Sequence, residues 1–499
     1  MSDASEHDLS ARVPSVLPRE RGLYWGGRWH APATARSAST INPSTGATLG
    51  EFLLGGEAEA DAAVQAARAA LPAWSRTAPL ERARRLREAA RRLREHSADL
   101  ALIDAADCGN PVRAMLMDAE LAAAQLEYFA GLVLELKGET LPTANGSLNY
   151  TVREPVGVVV RICAFNHPFM FAAGKIAAPL AAGNTVIVKP PEQAPLSTIR
   201  LFELLDGIFP PGVLNCVSGD RETGAALASH PDVAAVGIIG SVAAGKAVLR
   251  ASADTMKRTV LELGGKNAMI IHPDADFDAA VDGAVRGMNF TWCGQSCGST
   301  SRLFLHESLH DRFVDALLAR LHAAHRPGLA TDMRTTMGAL VNRAQYDRTL
   351  HYVDVGRADG ATLAAGGRHP DDPALANGFF VEPTVFVDVT PSMRIAQEEI
   401  FGPVLSVLRW RDEDALFDAV NGVPYGLTGS IWTRDLQTAH RNAARLQAGY
   451  VWVNDCSAHI LGAPFGGIKQ SGLGREESKD ELFEFTHVKN VNLNVKLHG

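Results

Sequence analysis

No run in this chain reaches the roughly 18 apolar residues that a membrane-spanning helix needs. Even residues 121–136 are broken by Gln125, Glu127 and Glu135. No basic excess exists either. A net charge of −8 and a pI near 6.1 exclude a surface built to neutralise nucleic-acid phosphates. Cysteine is scarce, six in 499 residues and widely spaced apart from one pair, so a disulfide framework is excluded and a reducing cytoplasm is expected. No segment recurs at a fixed period, which excludes a solenoid. Residues 1–20 are polar, carry two prolines and have no apolar h-region. They are read as a mobile leader, not a secretory signal.

What is present is an ordinary globular composition, 46% hydrophobic and 21% charged, in a chain too long for one core. Two or three domains are expected. Gly26-Gly27 is a turn between two short strands, and residues 57–96 carry helical spacing in Ala63, Val64, Ala67 and Leu71, then Leu80, Ala83, Leu86, Ala90 and Leu93. A further helix spans about 111–137. From residue 149 the texture changes to apolar strands (156–162, 185–188, 213–217, 233–239, 260–263) separated by helices, one of them over 171–182. That alternation predicts βαβ units and a parallel sheet covered on both faces. A second α/β region follows, with strands at 303–305, 384–386, 404–408, 429–431 and 449–454, a glycine-rich loop at 463–474 and a final strand at 488–495.

The stretch 287–302 puts Cys293 and Cys297 among Gly, Ser and Gln. A thiol in such a polar turn is placed to ionise and attack, yet free cysteine is also a common core filler, and these residues alone leave both readings open. Two cysteines four apart, without further Cys or His at ligand spacing, do not make a zinc site. A Cys293–Cys297 disulfide would need an oxidising compartment. Ligands of open α/β sheets bind beyond the carboxyl ends of the strands, and those ends carry Asn166, Lys189 with Glu192, Gly240-Ser241 leading to Gly245, and Glu262. A turn of backbone N–H groups entering a helix after Gly240 suits a dinucleotide pyrophosphate.

The chain resembles the aldehyde dehydrogenase superfamily. The resemblance rests on Phe165-Asn166-His167-Pro168, Val188-Lys189-Pro190-Pro191-Glu192, Gly240-Ser241-Val242-Ala243-Ala244-Gly245, Leu261-Glu262-Leu263-Gly264-Gly265-Lys266, Gly294-Gln295-Ser296-Cys297, Glu398-Glu399-Ile400-Phe401-Gly402-Pro403 and Pro464-Phe465-Gly466-Gly467. These stand in the family's order from about residue 21 to the C-terminus. The resemblance implies Cys297 as nucleophile, Asn166 and the Cys297 N–H as oxyanion donors, Glu262 as general base, and Lys189 among the catalytic residues. A carboxylate at Glu262 separates the hydrolytic type from relatives that pass the acyl group to coenzyme A, so a free acid is the expected product.

For the cofactor, the resemblance implies a site built from Ile162, Ala164, Phe165, Lys189, Glu192, Gly240, Ser241, Gly245, Glu262, Leu263, Gly264, Glu399 and Phe401. Lys189 and Glu399 would hold ribose hydroxyls, and Glu192 would face the adenosine 2′-hydroxyl. A carboxylate there repels a 2′-phosphate, which favours NAD, with NADP as the alternative. The expected substrate tunnel is Phe165, Phe169, Met170, Phe290, Trp292, Ser296 and Phe465. Phe165 stands where a tryptophan is common, and His167 where a large apolar or aromatic residue is frequent. No arginine lies in 455–461, where some semialdehyde-specific relatives carry an anionic anchor. Uncharged aromatic or medium aliphatic aldehydes are therefore expected. NADP-linked semialdehyde or betaine-aldehyde oxidation is the alternative, and a non-catalytic relative with a binding role the third reading.

The fold expected from the resemblance is a Rossmann-type parallel-sheet cofactor domain (21–138 and 151–262), a second α/β catalytic domain (263–475), and a bridging, oligomerising β-hairpin (139–150 with 484–499). The final strand would complete a neighbouring subunit's sheet. Homodimer or homotetramer assembly is expected, with no nucleic-acid, membrane or metal partner.

Overall fold

The computed structural model describes residues 7–32, 36–143 and 147–494. The parallel strands of its two large sheets are numbered here in chain order: β1 Val158–Ile162, β2 Thr185–Lys189, β3 Leu214–Val217, β4 Val233–Ile239 and β5 Arg258–Glu262, then β6 Ala268–Ile271, β7 Arg302–His306, β8 Thr384–Val387, β9 Val404–Trp410, β10 Thr428–Trp432 and β11 Tyr450–Val453.

The first five lie in an eight-stranded sheet in the order β3-β2-β1-β4-β5, with Leu23–Trp25 antiparallel beside β3, Arg28–Trp29 antiparallel beyond it, and Gly472–Leu473 antiparallel beside β5. Alternation along each strand sends neighbouring side chains to opposite faces. Val158 and Val160 join Ile187, Val236 and Leu261 against Ala60, Ala63, Val64 and Ala67 of helix Glu57–Ser75. Val159, Val186 and Val188 join the other core with Ala177, Leu180 and Phe202. Both faces are buried, which is why these strands read as continuous apolar runs. The order reverses between β1 and β4, a crevice at the strand ends where ligands of doubly wound sheets bind. Ile162 and Ile239 end the two strands that flank it.

The other six parallel strands form a seven-stranded sheet, ordered β8-β9-β7-β6-β10-β11 with Thr362–Ala365 antiparallel outside β8. It is layered in the same way: Met269, Ile271, Leu303 and Leu305 face one core, Ala268, Ile270 and Phe304 the other.

Several sequence expectations need correction. The leader is not free: from residue 7 it is docked on the body. The Leu9 N–H donates to the Thr331 carbonyl at 3.0 Å, the Arg19 and Glu20 N–H groups to Glu203, and Val13 and Val16 are buried. Two valines three apart on one short helix supply an apolar face that composition averages had hidden among charges. Residues 1–6 lie outside the described residues. The helix expected over 171–182 is two, Pro168–Gly174 and Ala177–Ala181, because Pro179 has no N–H to give the carbonyl of Lys175.

The bridging segment is a three-stranded antiparallel sheet, Thr140–Leu141, Leu148–Pro155 and Thr486–Leu493. Its second strand runs past the expected limit at 150 to Pro155. The final strand pairs along its whole length with Leu148–Pro155 of the same chain, Thr486 opposite Pro155 and Leu493 opposite Leu148, so only its other edge is left for a neighbouring subunit. Residues 144–146 and 495–499, parts of the expected bridging segment, lie outside the described residues.

Candidate active site

The loop carrying Cys297 is shaped by left-handed backbone and by side chains that bond it from beneath. Asn289, Cys293 and Gly294 all have positive φ. A Cβ on Gly294 would lie 2.3 Å from the Gly402 carbonyl oxygen, so glycine is required there for space as well as conformation. The buried Gln295 accepts from the Val341 N–H at 3.1 Å. Asn267 donates from Nδ2 to the Cys297 carbonyl at 2.7 Å and to the Ser299 carbonyl at 2.9 Å, while its Oδ1 accepts the Thr428 N–H at 3.0 Å. One amide thus ties the cysteine turn to β10.

Cys297 is partly exposed, whereas Cys293 is fully buried and donates its thiol to the Gly338 carbonyl at 2.8 Å. The Cys297 thiol is pushed up to about 12, first by burial, then by the negative charges of Glu262 and Glu399; the N–H groups of Cys297 and Gly298 act in the opposite sense. Glu262, the last residue of β5, is buried, and neither carboxylate oxygen has a hydrogen-bond partner among the described residues. Its carboxyl is pushed well above the usual range by burial, then by the charge of Glu476. Gly466 leaves room for it: a Cβ there would meet Glu262 Oε1 at 2.9 Å. The charge of Glu262 reaches the Cys297 thiol, and a carboxylate of raised proton affinity is the stronger base.

Asn166 follows the end of β1 and is held by its backbone, its carbonyl accepting from Asn110 Nδ2 at 2.7 Å. Among the described residues its side-chain amide makes no hydrogen bond, so it is free to donate. Asn110 was not found from sequence, and neither were Lys175 and Glu476. Glu476 pairs with Arg161 and, at 2.8 Å, with Lys175, all three buried. Burial alone would raise Glu476; Lys175 and Arg161 outweigh it and hold the carboxyl below the ordinary range. Residues so far apart in the chain leave no local pattern to read. Asn267, next to the Gly-Gly-Lys motif, could have been found by its position.

The carboxyl ends of β1, β2 and β5 carry Ile162, Lys189 and Glu262 among the expected cofactor residues, and Gly240 follows β4. Lys189 ends β2, buried, with its ammonium pushed down by burial and supported by Glu192 and Asp220; among the described residues it makes no hydrogen bond. Glu192 lies exposed just beyond. Ser241 caps helix Val242–Ala253, its Oγ accepting the Ala244 N–H at 3.2 Å, which leaves the first N–H groups of the helix without intrahelical partners. A Cβ on Gly245 would fall 2.5 Å from Leu263 Cδ1, so glycine lets this helix press against the residue after β5. Gly264 is likewise the floor under Glu399, whose Oε1 accepts the Gly265 N–H at 3.0 Å. Burial raises the Glu399 carboxyl. Phe165 and Phe401 meet edge to face at 5.7 Å, and Ile162 and Ala164 are partly buried beside them. A buried, unbonded ammonium, an exposed carboxylate and a helix start whose first N–H groups have no intrahelical partners fit a dinucleotide.

The expected substrate tunnel divides. Phe169 and Phe290 are 0% exposed and belong to the two hydrophobic cores, so they cannot line a passage. The sequence could not tell an aromatic turned into the core from one turned to the site. Met170, Phe171, Trp292 and Ser296 are partly exposed, and Phe465 packs 4.5 Å from the exposed His459. His167 lies among them, 5.2 Å from the Trp292 ring and 5.6 Å from Phe171. No cluster of metal-ligating side chains occurs, and no helix is long and apolar enough to cross a membrane, among the described residues.

Comparison with known proteins agrees with this geometry. Residues 29–491 match the family described as the aldehyde dehydrogenase family. The aldehyde dehydrogenase tropH of Talaromyces stipitatus is 52% identical over 97% of this chain and 95% of its own length. A betaine aldehyde dehydrogenase of Mesorhizobium japonicum is 43% identical over 94% of this chain and 96% of its own. The NAD+ complex of an aldehyde dehydrogenase from Bacillus cereus superposes with a TM-score of 0.94 at 38% identity, covering 98% of this chain and 99% of that one. A partly exposed cysteine in a tightly held loop, a buried carboxyl without a partner and near full-length matches lead to one conclusion: this chain is an enzyme of the aldehyde dehydrogenase family.

Proposed function

We propose that the protein oxidises an uncharged aromatic or medium aliphatic aldehyde to its carboxylic acid with NAD, using Cys297 as nucleophile and Glu262 as base. The observation that carries this reading is the Glu262 carboxyl, buried, raised and without a partner beside the thiol. Glu262 accepts the Cys297 proton as sulfur attacks the carbonyl carbon. The oxyanion of the thiohemiacetal accepts from the Asn166 amide and the Cys297 N–H. NAD, when bound, would supply the hydride acceptor for oxidation of this thiohemiacetal to the thioester. Glu262 passes the first proton to solvent, then removes one from the water that attacks the thioester and returns it to the leaving sulfur, releasing the acid and restoring the thiol.

NAD is favoured over NADP by the exposed Glu192, whose charge opposes a 2′-phosphate, and several structural relatives are described as complexes with NAD. Lys189 and Glu399 would hold its ribose hydroxyls, and the start of helix Val242–Ala253 its pyrophosphate. Exposed Leu141, Leu148, Val488 and Leu493 on the three-stranded sheet support its use as a contact between subunits of a homodimer or homotetramer. The reading is tested by NADH release across aromatic, aliphatic, trimethylammonium and carboxylate-bearing aldehydes. Turnover should be highest with the first two classes, and NADH formation with none of them refutes the proposal.

A further inference from the structure

His167 stands between the oxyanion donor and the substrate passage, and it is not alone. Its Nδ1 lies 2.7 Å from Asp118 Oδ2, on the neighbouring helix Val112–Gly131. The Asp118 carboxylate is 3% exposed and the imidazole 12%. A carboxylate only accepts, so this contact fixes a ring proton on Nδ1. With that proton on Nδ1, Nε2 is the nitrogen left to accept, and among the described residues it has no hydrogen-bond partner. An apolar or methylated-ammonium substrate closing over this nitrogen offers no donor and leaves the lone pair desolvated. A hydroxyl supplies the missing donor. The rings of Trp292 and Phe171 stand edge-on to the imidazole, which suits a flat conjugated substrate. An acidic hydroxyl on such a ring also makes the stronger bond to an imidazole backed by a carboxylate.

Resting on the aldehyde oxidation proposed above, we propose that His167, positioned by Asp118, selects aldehydes bearing a phenol- or enol-type hydroxyl, accepting that hydroxyl at Nε2. Asn166 and His167 are consecutive, about 3.8 Å apart along the backbone.

The test compares kcat/KM for benzaldehyde, the hydroxybenzaldehyde isomers and their methyl ethers, with NAD. In the wild-type enzyme the best hydroxy isomer should exceed both benzaldehyde and its own methyl ether by about tenfold or more, as sites built to bond a substrate hydroxyl reject analogues lacking it. His167→Phe should bring these ratios to within about twofold of one. Asp118→Asn should lower them in the same direction, whereas a merely structural loss lowers all substrates together. Equal kcat/KM for the three substrates in the wild type overturns the proposal without touching the general reading, and that comparison needs no variant to fold. Ratios unchanged in a folded His167→Phe also overturn it. No NADH from any of these aldehydes, or from aliphatic ones, overturns the general reading and the inference together.

Discussion

Lys175 Nζ lies 2.8 Å from Glu476 Oε2, and Arg161 holds the other oxygen of the same carboxylate. This buried ion group sets the charge that Glu262 feels. Glu476 raises the Glu262 carboxyl, second only to burial, and Lys175 opposes it.

A pH profile should expose that coupling. Glu262 works as a base only when ionised, so kcat/KM should rise with pH through its elevated pKa. Glu476→Gln removes the negative charge and leaves Lys175, so Glu262 ionises more readily and the acid limb should move to lower pH. The same change strands two buried cations and should cost about 3–5 kcal/mol of stability. Denaturant unfolding and a pH series on the one variant check both halves. An acid limb that stays in place or moves upward contradicts the coupling.

Glu262→Gln should separate the two halves of the reaction. With no carboxylate to take the Cys297 proton, acylation slows as that proton passes to solvent, yet deacylation slows more, so rapid mixing should show a slower burst of NADH near one equivalent per active site. Steady turnover should fall by about 10²–10⁴-fold, the usual worth of a positioned base. Steady turnover at the wild-type rate would remove Glu262 from the mechanism.

The two loop cysteines should behave oppositely. Cys297→Ala should abolish NADH formation. Cys293→Ala should keep turnover but lose about 1–2 kcal/mol, since a buried thiol and its bond to the Gly338 carbonyl disappear. Activity assays and unfolding curves on the pair decide this, and loss of chemistry in Cys293→Ala would give that residue a role the structure does not suggest.

Removing the carboxylate at Glu192 should relax cofactor choice. Glu192→Ser should raise the NADP-to-NAD ratio of kcat/KM by about tenfold, equivalent to roughly 1.4 kcal/mol of relieved repulsion. An unchanged ratio places the discriminating charge elsewhere.

Deleting residues 1–20 should lower the apparent Tm. Val13 and Val16 are each 6% exposed, and burying a valine contributes about 1.5–3 kcal/mol, an upper figure for a helix this short. A truncated chain as heat-stable as the full one would mean the docked leader carries no stability.

Much of this enzyme was legible before folding. Apolar strands alternating with helices predicted a sheet covered on both faces, because burial on both sides leaves no polar alternation to confuse the pattern. Gly245, Gly264 and Gly294 sit where a Cβ would strike Leu263, Glu399 or the Gly402 carbonyl, and such steric demands act over a few residues and are written as motifs. The order of those motifs singled out Cys297, Glu262 and Asn166.

Tertiary structure decided what depends on facing and on distant partners. Phe169 and Met170 are adjacent, yet one is core and the other partly exposed, because a helix turns about 100° per residue and its neighbours choose the face. His167 looked like a lone substitution until Asp118 came to its Nδ1, and Glu262 like a lone base until Glu476, Lys175 and Arg161 came around it. Short-range geometry is carried by residue type and spacing. The charge and hydrogen-bonding state of a buried group is set by whichever segments the fold packs against it.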